Sequence, residues 1–314
     1  MSQLPVEAAH RLASVAEEHR WLVEGLWAEE AVGIVGGEPK CCKSFLALDL
    51  AVSVASATPC LRRFPVPRPG RVLLYAAEDA LHIVRRRLEG ICCAAGVDLA
   101  DVDIQVITAP ALRLDLESDR ARLAQTVAAL RPKLLVLDPF VRLHRVDENA
   151  SGEVAPLLAY LRELQRRHRL AVAVVHHAKK GAAHARAGQA LRGSSEFHAW
   201  GDSNLYLRRH GDDLTLTVEH RAAASISPIA LQLQESGDAL ALAVGQRGKP
   251  PDPPAASVEE KIIRALEAAA TPLPLAALRN SCHVRTATLC EALAALGRQG
   301  RVEKAAAGYR LAKT

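Results

Sequence analysis

The chain has 314 residues, 49% hydrophobic and 24% charged, with a net charge of +5. That length allows one sizeable α/β core plus a small second domain, and the composition excludes a mainly disordered chain. No charge-free apolar run of about 18 residues and no secretory leader pattern occurs, so a cytoplasmic protein is expected, with no membrane partner. Seven cysteines include the adjacent pairs Cys41-Cys42 and Cys92-Cys93 but no CxxC spacing, which argues against a disulfide framework or a cysteine metal site. The mild basicity permits a polyanionic partner without demanding one.

Residues 1–30 read as a helical lead-in. Short Val/Ile/Leu-rich runs then follow at 31–36, 71–76, 103–107, 133–138 and 170–175. Amphipathic segments near 43–57, 79–95, 117–130 and 150–168 separate them. Such short strands alternating with crossover helices predict a doubly wound, mostly parallel α/β sheet. Segments 205–208, 214–219 and 229–233 read as antiparallel strands added to it, giving a core domain over 31–244. Residues 245–256 (GQRGKPPDPPAA) hold four prolines and two glycines and predict a linker. Beyond it, 257–314 reads as three helices, at 257–267, 274–280 and 284–297, followed by a two-stranded wing around Ala307-Gly308. That is the pattern of a winged helix.

The chemistry gathers where strands end. Directly after the first core strand comes Gly37-Glu38-Pro39-Lys40-Cys41-Cys42-Lys43-Ser44-Phe45, opening an apolar helix. A phosphate-binding loop needs backbone N–H groups and a helix N-terminus around the phosphates, a lysine on the outer ones, and a hydroxyl for Mg²⁺. Lys43 and Ser44 supply the last two, so ATP and Mg²⁺ are the expected ligands. The usual pattern has glycine just before the lysine; this chain has Cys42. If the loop requires positive φ there, the side chain costs about 1 kcal/mol or more, which weakens binding without abolishing it. The plain alternative is a helix start with no ligand.

Asp138 closes the apolar run KLLVLD and fits an outer-shell acceptor for Mg²⁺, or else caps the next turn. Glu78 and Asp79 end the second strand at the same sheet edge; Glu78 suits polarisation of the attacking water, whereas Asp79 suits a helix cap. His176 and His177 end the fifth strand, and either could sense a γ-phosphate.

Taken together, GGEPKCCKSFLALDLA, LLYAAEDA, LLVLDP, VVHHAKK, LRGSSEFHAWGDS and TLTVEHRAA resemble the RecA-like P-loop ATPases of the DnaB and KaiC type. The resemblance is greatest to the branch containing the RepA hexameric helicases, and it spans roughly residues 25–235. It implies a RecA-like fold, a catalytic base at Glu78, a Mg²⁺ aspartate at Asp138, and a sensor at His176 or His177. The family also inserts a basic residue of a late strand, in a Lys-x-Arg triplet, into the neighbouring subunit's site. The matching triplet here is Glu219-His220-Arg221, which makes Arg221 the candidate finger and Glu219 a departure. The implied assembly is a homo-oligomer, such as a hexamer.

Lys179, Lys180, His184, Arg186 and Arg192 lie on a Gly/Ala-rich stretch without acidic residues, suited to single-stranded DNA or else simply solvated. Arg285, Thr286 and Thr288 open the third helix of the C-terminal module, where a recognition helix meets duplex DNA; a protein partner is the alternative. The leading expectation is a DNA-associated ATPase motor or remodeller, helicase-like, in replication or mobile-element maintenance. The alternative is a non-motor ATP-dependent DNA-binding regulator or helicase loader with weak hydrolysis, which Cys42 and Glu219 favour. A small-molecule kinase is weaker, because no lid or acceptor pocket is legible.

Overall fold

The computed structural model describes residues 6–11, 20–177, 196–211, 213–224, 226–236, 239–245, 258–269, 271–282, 286–305 and 307–312. The chain divides into two compact units, Met1–Gln246 and Arg247–Thr314.

The first unit departs from expectation at its start. Within the expected helical lead-in, Ala9–Arg11 is a single helical turn, residues 1–5 and 12–19 lie outside the described residues, and Trp21–Val23 (β1) and Trp27–Ala28 (β2) pair antiparallel around Gly25. Leu22, Val23, Leu26 and Trp27 are all buried, so this ribbon joins the main core. Two tryptophans and a positive-φ glycine within eight residues favour a tight hairpin over a helix interior.

The elements that follow are Val32–Gly37 (β3), Lys43–Ser56 (α1), Val72–Ala76 (β4), Leu81–Ala95 (α2), Ile104–Val106 (β5) and Glu117–Leu130 (α3). Next come Leu134–Asp138 (β6), Ser151–His168 (α4), Ala171–His177 (β7) and the short helix Glu196–Trp200 (α5). Ser203–His210 (β8), Asp213–His220 (β9), Ile229–Ser236 (β10) and Ala239–Val244 (β11) complete the unit. The strands form one nine-stranded sheet in the order β11-β10-β9-β8-β3-β7-β6-β4-β5. Pairing is parallel from β8 through β5 and antiparallel from β8 to β11. The strand β11 was not anticipated; its alternating sequence ALALAV pairs along β10, and α2 covers it.

The sheet has two apolar faces. Leu46, Leu50 and Val54 of α1 and Leu88 and Ile91 of α2 cover one, together with Val175 of β7. Leu157, Leu161 and Leu164 of α4 cover the other, with Val174 and Phe197. Successive strand residues alternate between these faces, and that parity decides which strand-end side chains can meet at the site.

The second unit holds Val258–Glu267 (α6), Leu275–Cys282 (α7), Thr286–Arg298 (α8) and the ribbon of Val302–Ala305 (β12) with Gly308–Leu311 (β13). Ile262, Leu266, Leu278, Leu289, Leu293, Leu296 and Val302 form its own core. Gly308, at φ 144°, is required there: a Cβ would stand 2.2 Å from the Leu273 carbonyl oxygen.

Candidate functional site

Parallel pairing aligns the carboxyl ends of β3, β4, β6 and β7, and Ala76 lies level with Asp138. Ligand chemistry in open α/β sheets collects at this edge. A cavity of about 360 Å³ opens here, lined by Lys40 to Phe45, Glu78, Asp79, Arg87, Asp138, Val175 and His177. Its volume lies within the range of small-molecule sites.

The loop after β3 begins at Gly37, where φ is 157° and a Cβ would lie 2.5 Å from both the Cys41 sulfur and the Leu207 carbonyl oxygen. The loop turns left-handed at Lys40 and again at Cys42 (φ 63°, ψ 26°), the residue that precedes α1. The positive φ that favours glycine is therefore present at position 42, carried by a side chain that pays about 1–2 kcal/mol of local strain. The Cys42 sulfur is reached by Arg209 Nη2 at 3.5 Å, from the end of β8.

Lys43 is buried, and its Nζ donates to the Glu38 carbonyl at 2.7 Å, folding the loop back over the helix start. Burial lowers its pKa, opposed by the neighbouring Cys41, Asp138 and Glu78. Burial likewise pushes the Cys41 thiol up. The Asp138 carboxyl is raised to about 6, first by burial and then by the nearby Asp79 and Glu78, while a hydrogen bond from the Ser44 hydroxyl and the Lys43 charge pull the other way. Glu38 contributes its carbonyl to the loop; Gly37, Glu38 and Pro39 do not line the cavity.

The two carboxylates that follow β4 are held differently. Glu78 Oε1 accepts from Arg142 Nε at 2.9 Å, whereas Asp79 is bound by Arg87. Asp79 is thus not the helix cap expected of it: α2 starts at Leu81, and Ala80 precedes it without a side-chain cap. Arg87 also lies over the Phe45 ring, 5.3 Å from its centroid. Sequence reasoning missed Arg87 because only α2 packing against α1, two turns along the helix, brings it to the cavity.

The tandem histidines separate. His177 lines the cavity beside Val175. His176 points through the opposite face, stacked on Phe197 with ring centroids 4.1 Å apart and edge-on to Phe140 at 6.1 Å. The expectation that left both open is corrected here: strand alternation removes His176 from the phosphate side.

Arg221 lies elsewhere. Its backbone N donates to the Asp202 carbonyl at 2.9 Å, and the Asp202 backbone N donates to the carbonyl of Val32, the first residue of β3. It is therefore at the amino edge of the sheet, about 17 Å from the loop after Gly37 at ~3.3 Å per strand residue. Its guanidinium pairs with Asp202 and donates to the Ala199 carbonyl. Its neighbour His220 is partly buried, with ring nitrogens 3.1 Å from the Ser203 hydroxyl and 3.2 Å from the Gly25 carbonyl oxygen. Glu219 lies 3.6 Å from His198.

Lys179, Lys180, His184, Arg186, Arg192 and Arg285 lie outside the described residues. Thr286 and Thr288 are exposed on α8, and Thr288 shares a surface groove with Glu259 and Glu291. Among the described residues no group of three His, Cys, Asp or Glu is arranged to hold a metal ion, and no helix is long and apolar enough to cross a membrane.

A family model described as AAA domain matches residues 2–183. Among solved structures, a KaiC-like protein of the hyperthermophilic archaeon Pyrococcus horikoshii OT3 superposes with a TM-score of 0.50 at 15% identity, covering 72% of this chain and 94% of its own. The RadB recombinase superposes with a TM-score of 0.50 at 16% identity, covering 69% and 92%. At these identities the likeness is one of fold, that of the RecA-like P-loop core.

Proposed function

The chain belongs to the AAA domain family, and from that premise we propose that it binds and hydrolyses ATP·Mg²⁺ at the carboxyl edge of the sheet, as a DNA-associated motor or remodeller. The observation that carries this reading is the meeting of Lys43, Ser44, Glu78, Asp138 and His177 around one cavity, from four separate segments of the chain. None of these residues is needed together for folding a sheet edge; a polyphosphate with a hard cation accounts for all of them.

In this reading the N–H groups of the loop and the first turn of α1 cradle the phosphates, and Lys43 leaves the Glu38 carbonyl to neutralise the outer ones. Ser44 and Asp138 offer the hard oxygens that suit Mg²⁺. Bound Mg²⁺ supplies positive charge to the β- and γ-phosphates. Glu78 orients and polarises the attacking water, and His177 faces the γ-phosphate. Arg221 completes the site of a neighbouring subunit, so the protein acts as a homo-oligomer, and a hexamer of the RepA helicase kind is the preferred form. The basic stretch of 179–192 holds single-stranded DNA, and residues 257–314 act as a winged helix on duplex DNA.

Two observations favour a second reading, a regulator or helicase loader with weak hydrolysis. The left-handed backbone at Cys42 carries a side chain where phosphate is approached, and the acidic Glu259 and Glu291 beside Thr288 suit a protein partner better than a duplex. ATP turnover measured with and without single-stranded DNA separates the two. The motor reading expects DNA-stimulated turnover that is abolished by Lys43→Ala; turnover indifferent to both DNA and that substitution sinks it.

A further inference from the structure

The candidate base is not free. Glu78 Oε1 receives the Nε–H of Arg142 at 2.9 Å, and both side chains are largely in solvent, 42% and 61% exposed. Arg142 comes from the one-turn segment Phe140–Arg142, directly after the strand that ends in Asp138. The carboxylate used as base and the residue that restrains it therefore arrive from the ends of two neighbouring parallel strands, β4 and β6.

We infer that Arg142 is a positioning residue that competes with the attacking water for Glu78, and so damps turnover until the site is correctly filled. The inference rests on the reading of Glu78 as the base. A carboxylate that polarises water needs its negative charge and a free acceptor oxygen, and a guanidinium on Oε1 takes from both. The neighbouring Asp79 is tied to Arg87, whose ring contact with Phe45 anchors it to α1, so that pair is built into the wall of the site. The Glu78–Arg142 pair has no such anchor on either partner among the described residues. Exposed ion pairs are weak, and a weak restraint is exchangeable, which a gate requires.

Arg142 is also placed to feel the state of the site. Phe140, two residues before it, is fully buried and packs edge-on to His176, whose neighbour on β7, His177, lines the cavity. Phe140 packs as well against His144 at 4.6 Å, a contact that closes the short segment carrying Arg142 on itself, with Phe140 as its anchor to the core. A shift at the end of β7 is passed to the Arg142 backbone through packed rings, not through solvent.

The test is steady-state ATP turnover of the full chain without DNA. Arg142→Gln is expected to raise kcat about two- to five-fold with KM for ATP unchanged, the size of one exposed ion pair. Arg142→Lys, which keeps the charge but lacks the Nε–H, is expected to give a smaller gain. In a Glu78→Gln background the Arg142→Gln gain should vanish. An unchanged or lowered kcat in Arg142→Gln, with KM and thermal midpoint as in the parent, overturns the gate. So does a gain that persists without the Glu78 carboxylate. Glu78→Gln alone keeps the two ideas apart: if it retains full turnover, the assignment of the base fails, whereas a dead Glu78→Gln with no gain from Arg142→Gln rejects the restraint alone.

Discussion

The two edges of the central sheet carry charge in opposite ways. At the carboxyl edge, Lys43, Glu78, Asp138 and His177 come from successive parallel segments and face one cavity. At the amino edge, Asp202 is already satisfied by Arg162 and Arg221, and it also accepts from the Val32 backbone N at 3.3 Å. The first edge is a cavity whose lining comes from one chain. The second has its cations paired off and acquires chemistry only if another subunit's phosphates draw Arg221 away. Cation exposure alone does not distinguish such places; what the guanidinium is already bonded to does.

The sharpest way to break this comparison is Arg221→Ala. As a finger acting in trans it should cost about 1,000-fold in kcat while leaving ATP affinity within about two-fold. Mixing this variant with Lys43→Ala should restore turnover, since one supplies the intact loop and the other the arginine. Failure of the mixture, with both proteins assembled, would reject the action of Arg221 in trans.

The tandem histidines give the next effect. His177→Ala should lower kcat about 100-fold with the thermal midpoint unchanged. His176→Ala should do the reverse, destabilising the fold by about 1–3 kcal/mol through the lost Phe197 stack, measured by chemical denaturation. Equal kinetic losses from the two would contradict the parity of β7.

Asp138 predicts a pH dependence. Its folded value of about 6 exceeds the ordinary 3.8, so the free protein binds a proton there more readily than the unfolded chain does. The sign follows: without nucleotide, this group adds stability as pH falls through about 6 and none above it. Mg²⁺ requires the carboxylate, so Mg²⁺-dependent nucleotide affinity should fall by up to about tenfold per pH unit below 6. Asp138→Asn should flatten that slope in a fluorescent-nucleotide titration, and a retained slope removes Asp138 from the metal's shell.

The smallest effect concerns the loop. Cys42→Gly relieves a left-handed non-glycine residue and should stabilise the unit by about 1 kcal/mol, a rise in thermal midpoint of roughly 2–4 °C. Nucleotide affinity should improve with it. Lower stability in the variant would mean that the Arg209 contact on the sulfur outweighs the strain.

Much of the core was legible because each element repeats a short-range rule. Short Val/Ile/Leu-rich runs between longer helical patterns read as strands of a parallel sheet, and the helix after Gly37 announces itself by Lys43-Ser44 and a largely apolar sequence. Asp138 and Glu78 were legible as strand-end carboxylates, since parallel strands bring their carboxyl ends to one edge whatever the loop lengths between them. The β1–β2 ribbon and β11 were not, because a two- or three-residue strand and an Ala/Leu alternation declare themselves only through the partner they pair with.

What the sequence by itself determined was therefore the set of chemical groups at the carboxyl edge and the positive-φ problem posed at Cys42. Tertiary structure alone decided which histidine enters the cavity, which arginines hold Glu78 and Asp79, and that Arg221 stands at the far edge of the sheet. Those outcomes depend on strand parity, on the packing of α2 over α1, and on the antiparallel return of β9. Each is a long-range contact, and the physical reason is the same throughout: local sequence fixes what a segment is, while only the neighbours it buries against fix where its side chains point.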